Sequence, residues 1–83
     1  MEVIQGNIFN IVKLFPDDKE TVLKLFRKNN NFKAICDDYQ QCAKALSRWK
    51  QSSSEKAPAR RKEYADLLNE LELELRQFLR EFS

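Results

Sequence analysis

Residues 64–82, YADLLNELELELRQFLREF, carry apolar side chains at alternating steps of four and three. This ladder consists of Tyr64, Leu68, Leu71, Leu75, Phe78 and Phe82. Residues 32–46, FKAICDDYQQCAKAL, repeat the spacing with Phe32, Cys36, Tyr39, Ala43 and Leu46. Such spacing places a continuous apolar seam along one side of a helix, and a seam needs a partner. The two stretches therefore predict an antiparallel hairpin of two long helices.

Helix-breaking residues set the limits of this hairpin. Residues 17–57 and 59–83 contain neither glycine nor proline, so nothing interrupts a long helix there. A polar run at 51–57 has the length of a hairpin connector, and Pro58 suits the first turn of a helix. We predict helices over about 32–51 and 58–81, with Asn31 capping the first. Additional apolar residues are expected to widen both seams: Ile35, Cys42 and Trp49 on the first helix, and Leu67, Leu73 and Leu79 on the second.

The region before the hairpin divides into two parts. Residues 1–16 form an apolar segment with helical spacing that ends at Pro16. A short helix is predicted within 17–29, where Asp17 and Glu20 have the spacing of a capping box. The apolar segment is expected to fold back over the bundle. The alternatives are a docking arm for another protein and a membrane-surface helix, and the second is disfavoured because the segment has few basic residues.

We therefore expect a single all-α domain spanning 1–83, with the hairpin at 31–83. A chain of 83 residues buries a small share of its surface, and each helix of a lone pair covers only one side of the other. Two copies packing together would bury more, so we expect a homodimer resembling a four-helix bundle.

Charge indicates how the two copies would be oriented. Residues 31–62 carry eight basic and three acidic side chains, whereas residues 63–83 carry two basic and six acidic ones. The hairpin turn is consequently basic and the open end acidic. An antiparallel dimer brings opposite charges together at both ends.

The basic tip is the predicted electrostatic contact surface, formed by Arg48, Lys50, Arg60, Arg61 and Lys62. It could contact another protein. The alternative function is that of a nucleic-acid-associated accessory protein, in which these cations bind phosphates and Trp49 stacks on a base. The acidic second helix argues against that alternative.

The composition offers little to support a catalytic or metal site. The chain has no histidine, and its carboxylates lie outside the seams. Cys36 and Cys42 are six residues apart on one helix, about 9 Å along its axis, which is too far for a disulfide. We predict no catalytic residue, metal, cofactor or small-molecule substrate. No apolar run reaches the roughly 18 residues of a membrane span, and no secretory signal is evident, so a cytoplasmic location is expected.

Residues 23–80 resemble the YdcH-like proteins, a family of small bacterial helical hairpins of unknown function. The resemblance lies in LKLFRKNNNFKAICDDYQQC at 23–42 and in EYADLLNELELELRQFL at 63–79. It implies a cytoplasmic bacterial hairpin whose packing positions are Phe32, Tyr39, Leu68, Leu71 and Leu75, and it implies no catalytic residue. Together with the seams, it leads us to expect a non-enzymatic homodimer that acts as a protein–protein interaction or adaptor module.

Overall fold

Four α-helices and one short 3₁₀ turn make up the protein in the computed structural model, which describes residues 6–82. The helices are α1 (Gly6–Leu14), α2 (Lys19–Lys28), α3 (Asn30–Lys50) and α4 (Ala57–Phe82), and the 3₁₀ turn is Pro16–Asp18. No strand occurs in this part of the chain. The two longest helices, α3 and α4, pack together. The all-α class and the pairing of the two long helices are therefore confirmed.

Helix capping differs from the prediction at two positions. The side chain of Asn29 caps α3 by accepting a hydrogen bond from the backbone N–H of Phe32, with N and Oδ1 3.0 Å apart. The cap predicted at Asn31 is wrong, because α3 already begins at Asn30 and Asn31 lies in its first turn. Asp17 is not the cap of α2 either, because it belongs to the 3₁₀ turn that Pro16 opens. Asp18 occupies the cap position without a side-chain capping bond.

The hydrophobic core lies at the open end of the hairpin, where all four helices meet. Its buried members are Ile8, Ile11, Phe15, Val22, Leu25, Phe32, Cys36, Leu75 and Leu79. Ile11 and Val22 are completely inaccessible to solvent, so α1 and α2 are integral to the fold. From Gly6 onward the apolar segment folds back over the hairpin, and the alternative of a free arm is excluded for these residues. The start of that segment, residues 1–5, lies outside the described part of the chain.

Polar and aromatic contacts hold the N-terminal helices against one side of the hairpin. The amide Nδ2 of Asn10 donates a hydrogen bond to Oε1 of Gln40 on α3, 2.6 Å away. The guanidinium carbon of Arg76 on α4 lies 5.5 Å from the ring centroid of Phe15. These contacts identify the side of each long helix that α1 and the 3₁₀ turn cover.

Toward the turn, the hairpin is only two helices thick. In this half, Ala57 and Leu71 are the buried hydrophobic residues among those described. Leu73, predicted to widen the apolar side of α4, is 65% exposed. Two residues span about 200° around a helix, so Leu73 projects away from the side on which Leu71 is buried. The prediction for Leu79 is confirmed, since it belongs to the core.

Candidate interaction surface

The predicted seam residues differ in how far the chain itself covers them. Phe32, Leu71 and Leu75 are buried. Seven others are half-buried: Ile35, Tyr39, Leu46, Trp49, Tyr64, Leu68 and Phe78. Phe82 is 54% exposed, although its ring stacks on that of Phe78 with the centroids 6.2 Å apart. The chain thus encloses the ladder at Phe32, Leu71 and Leu75, and covers it only in part at Phe82 and at most positions toward the turn.

One broad side of the hairpin faces away from α1 and α2, and we call it the back face. Gln40 contacts α1, and Ile35 lies five residues earlier, about 140° around α3 from it. On α4, Glu74 lies two residues from Arg76, which packs on Phe15, and two residues correspond to about 200°. Ile35 and Glu74 therefore lie on the side opposite the N-terminal helices.

An open groove marks the back face near the open end of the hairpin. Its volume is about 320 Å³, and its lining residues are Ile35, Glu74, Gln77, Phe78 and Glu81. The floor is apolar and the rim carries two carboxylates, with no lysine or arginine among the lining residues. The groove would suit an apolar side chain that is accompanied by a positive charge.

Glutamates continue along the same flank of α4. Within residues 6–82, no lysine or arginine pairs with Glu70 or Glu74. Glu81 accepts a 3.5 Å hydrogen bond from the side-chain amide of Gln77, which leaves its charge uncompensated. This flank therefore presents negative charge to the solvent.

The hairpin tip presents the opposite charge. The predicted contact residues are all exposed, namely Arg48, Lys50, Arg60, Arg61 and Lys62. Lys56 beside them is exposed as well. Arg60 forms an ion pair with Glu63, with Nη1 and Oε2 2.9 Å apart. Trp49 is half-buried and continues the row of Ile35 and Cys42. The structure brings the tip cations together, and Trp49 lies beside them with its side chain partly covered.

Neither cysteine is an activated nucleophile. Burial, with a smaller contribution from Asp37, raises the pKa of the Cys36 thiol from 9.0 to about 12. Partial burial, followed by the charge of Asp38, also raises the pKa of Cys42. Burial and then Glu72 raise the pKa of Tyr39 in the same way. Both thiols are free and remain protonated at neutral pH.

The described residues hold no group of three or more histidine, cysteine, aspartate or glutamate side chains placed to bind a metal ion. Among the same residues, no helix has both the length and the apolar character required to cross a bilayer.

Sequence reasoning missed how one flank of α4 is organised. Arg60, Leu67, Glu74 and Glu81 follow one another at seven-residue intervals, so they lie in one row along the helix. Leu67 is 39% exposed on this row. The seven-residue spacing was visible in the sequence, but only the position of α1 and α2 shows that this row lies on the uncovered side.

In comparisons with known proteins, no family model, curated protein or solved structure matches this chain. The resemblance to the YdcH-like proteins therefore stays a prediction.

Proposed function

We propose that this protein is a non-enzymatic protein–protein interaction module that works as a homodimer, in the manner of a small adaptor or accessory subunit. The observation that carries this proposal is the incomplete covering of the apolar seams. The chain leaves a set of apolar and aromatic side chains half-buried along the thin part of the hairpin: Cys42, Leu46, Trp49, Tyr64 and Leu68.

The two ends of the hairpin differ in how completely their apolar side chains are buried. At the open end, α1 and α2 add a second layer, and side chains such as Phe32 and Leu75 are fully enclosed. Toward the turn, α3 and α4 have only each other. Burying apolar area stabilises by roughly 25 cal/mol per Å², so a second copy that covered these side chains would add stability that one chain lacks.

We propose that the protein catalyses no reaction, and the residue types of the chain support this. It has no histidine, and the burial of its thiols favours the protonated form, which is a poor nucleophile. Free thiols also suit the reducing cytoplasm, which we propose as the location.

A second protein would bind at the hairpin tip. Arg48, Lys50, Arg61 and Lys62 are exposed there and suit an acidic surface on the partner. We favour this role over nucleic-acid binding because residues 63–83 carry six acidic and two basic side chains, and this negative charge would repel phosphates.

Sedimentation equilibrium of the full chain tests the homodimer. We expect the mass of two chains at micromolar concentration, together with a helical circular dichroism spectrum. A stable, well-folded monomer across that range would contradict the proposal.

A further inference from the structure

The back face carries two rows of side chains that are each centred on one residue. On α3, Cys42 lies midway between Ile35 and Trp49, seven residues from each. On α4, Leu67 lies midway between Arg60 and Glu74, again seven residues from each. The first row is apolar throughout, whereas the second is basic at one end and acidic at the other.

The two centres lie at the same height in the hairpin. The rings of Phe32 and Phe78 are in contact, with centroids 5.7 Å apart, which sets the register of α3 against α4. Because the helices are antiparallel, moving ten residues from Phe32 to Cys42 corresponds to moving back ten residues from Phe78, to position 68. Cys42 therefore lies level with Leu67 and its neighbour Leu68.

A single two-fold axis can pass through both centres. Subunits related by such an axis bury the same patch, which must be complementary to itself. An axis perpendicular to the helices places α3 on α3 and α4 on α4 in opposite directions. Residues at equal distances on either side of each centre then meet in pairs.

We propose that a second copy of the chain occupies the back face in this antiparallel arrangement, an inference that rests on the proposed homodimer. Cys42 meets Cys42 and Leu67 meets Leu67 of the second copy. Ile35 packs on Trp49 of the second copy, and Arg60 pairs with Glu74 of the second copy. Each of the last two contacts occurs twice in the dimer.

Charge favours this orientation over the parallel one. An axis running along the helices would place tip against tip and bring Arg48, Lys50 and Arg60 of both copies together. The antiparallel arrangement instead brings Arg60 of each copy to Glu74 of the other and leaves the remaining tip cations outside this contact. These charges are exposed, so salt weakens the preference, and apolar contacts supply most of the affinity.

The available area is sufficient for a moderately stable dimer. Two helices about 10 Å wide over some 30 Å of length present about 600 Å² per copy. Burying that area on both copies gives about 1,200 Å², at the lower end of specific interfaces. We therefore expect micromolar association.

Disulfide formation tests the position of the axis. Under mild oxidation with copper phenanthroline, which removes two protons and two electrons from a pair of thiols, we expect a covalent dimer through Cys42. Facing residues on two packed helices are within the separation that a disulfide allows. Cys42→Ala should abolish the product, because Cys36 is enclosed in the core.

Chance collision of thiols requires its own control. Ser47 is exposed on α3, away from the Cys42 row. In a Cys42→Ala background, Ser47→Cys should cross-link at least several-fold more slowly than wild-type Cys42. A faster reaction at position 47 would overturn the proposed axis.

Charge exchange tests the orientation. Arg60→Glu and Glu74→Arg each create two like-charge contacts, so each should weaken dimerisation roughly tenfold at low salt. The double variant, and an equimolar mixture of the two single variants, restore opposite charges at both contacts and should regain wild-type affinity. Arg61→Glu and Asp66→Arg make matched changes at exposed positions off the row and should have little effect.

The outcomes separate the two proposals. A dimer that does not respond to the single charge variants and forms no Cys42 disulfide would overturn this arrangement and leave the homodimer standing. A chain that remains monomeric throughout would remove both.

Discussion

The ring of Phe78 meets the ring of Phe32 edge-on, with a 74° angle between their planes, and joins the two long helices where the N-terminal helices cover them. Phe32 is fully buried and Phe78 half-buried. This contact belongs both to the core and to the edge of the back face, so it links the stability of the monomer to the shape of the surface that we propose for dimerisation.

Replacing the buried ring of Phe32 with a smaller side chain should destabilise the whole protein. We expect Phe32→Leu to lower the free energy of unfolding by about 1–2 kcal/mol, because the smaller side chain leaves space beside Phe78 in a close-packed core. Leu73→Ala, at a position 65% exposed, should change it by less than about 0.5 kcal/mol. Urea unfolding followed by circular dichroism measures both, and equal effects would contradict the core as described.

The N-terminal helix α1 should contribute as much to the free energy of unfolding as the hairpin does. Ile11 has no exposed surface, so Ile11→Ala should cost about 2–5 kcal/mol, enough to unfold a marginal domain of this size. Ile11→Val is the milder variant, with an expected loss of about 0.5–1.5 kcal/mol. If both variants unfold at the wild-type urea concentration, α1 does not pack in solution as it does here.

The cap of α3 can be tested with neighbouring asparagines. Asn29→Ala removes the bond to the N–H of Phe32 and should destabilise the protein by about 1 kcal/mol. Asn31→Ala changes an exposed residue inside the helix and should be neutral or slightly stabilising, since alanine favours helix. Thermal unfolding should therefore show a lower midpoint for Asn29→Ala than for the wild type. The midpoint of Asn31→Ala should equal the wild-type value or lie slightly above it.

Much of the hairpin could be predicted from sequence because its signal is periodic and local. The ladder from Tyr64 to Phe82, together with Pro58, predicted a helix over about 58–81, and α4 begins and ends within a residue of those bounds. The prediction of the cap was wrong because three consecutive asparagines can each cap a helix. Only the position of Phe32 in the core determines that its N–H bonds to Asn29. The prediction for Leu73 was wrong because residues two apart lie about 200° apart around a helix, so Leu73 cannot share the buried side of Leu71.

The candidate surface was less predictable because it is defined by what does not cover it. The row from Arg60 to Glu81 could be read from the sequence, but nothing local shows that α1 and α2 lie across Gln40 and Arg76 on the other side. That choice of side depends on long-range packing. It also decides which of the half-buried residues, Trp49 among them, belong to an open face.

Nucleic-acid binding by the basic tip can be tested directly. We expect no shift of mixed-sequence DNA or RNA in a gel at low salt, because residues 63–83 carry six acidic side chains against two basic ones and would repel phosphates. A shift that disappeared with rising salt and with Arg61→Glu would instead support the accessory role that the sequence left open.

Alkaline pH should destabilise the protein through its buried thiol. The folded chain holds the pKa of Cys36 at about 12, above the ordinary value of 9.0, so below pH 9 the thiol is protonated whether or not the chain is folded. As pH rises from 9 toward 12, the unfolded chain loses this proton first, and the free energy of unfolding falls. Tyr39 acts in the same direction from 10.0 upward. Urea unfolding at a series of pH values should show this decline, and Cys36→Ala should reduce it more than Cys42→Ala does, since Cys42 is only half-buried.

Alkylation of the thiols provides an independent readout at neutral pH. Iodoacetamide should label Cys42 first in the folded protein and both cysteines equally after unfolding. Equal labelling of the folded chain would show that Cys36 is accessible and would remove the basis for the alkaline effect.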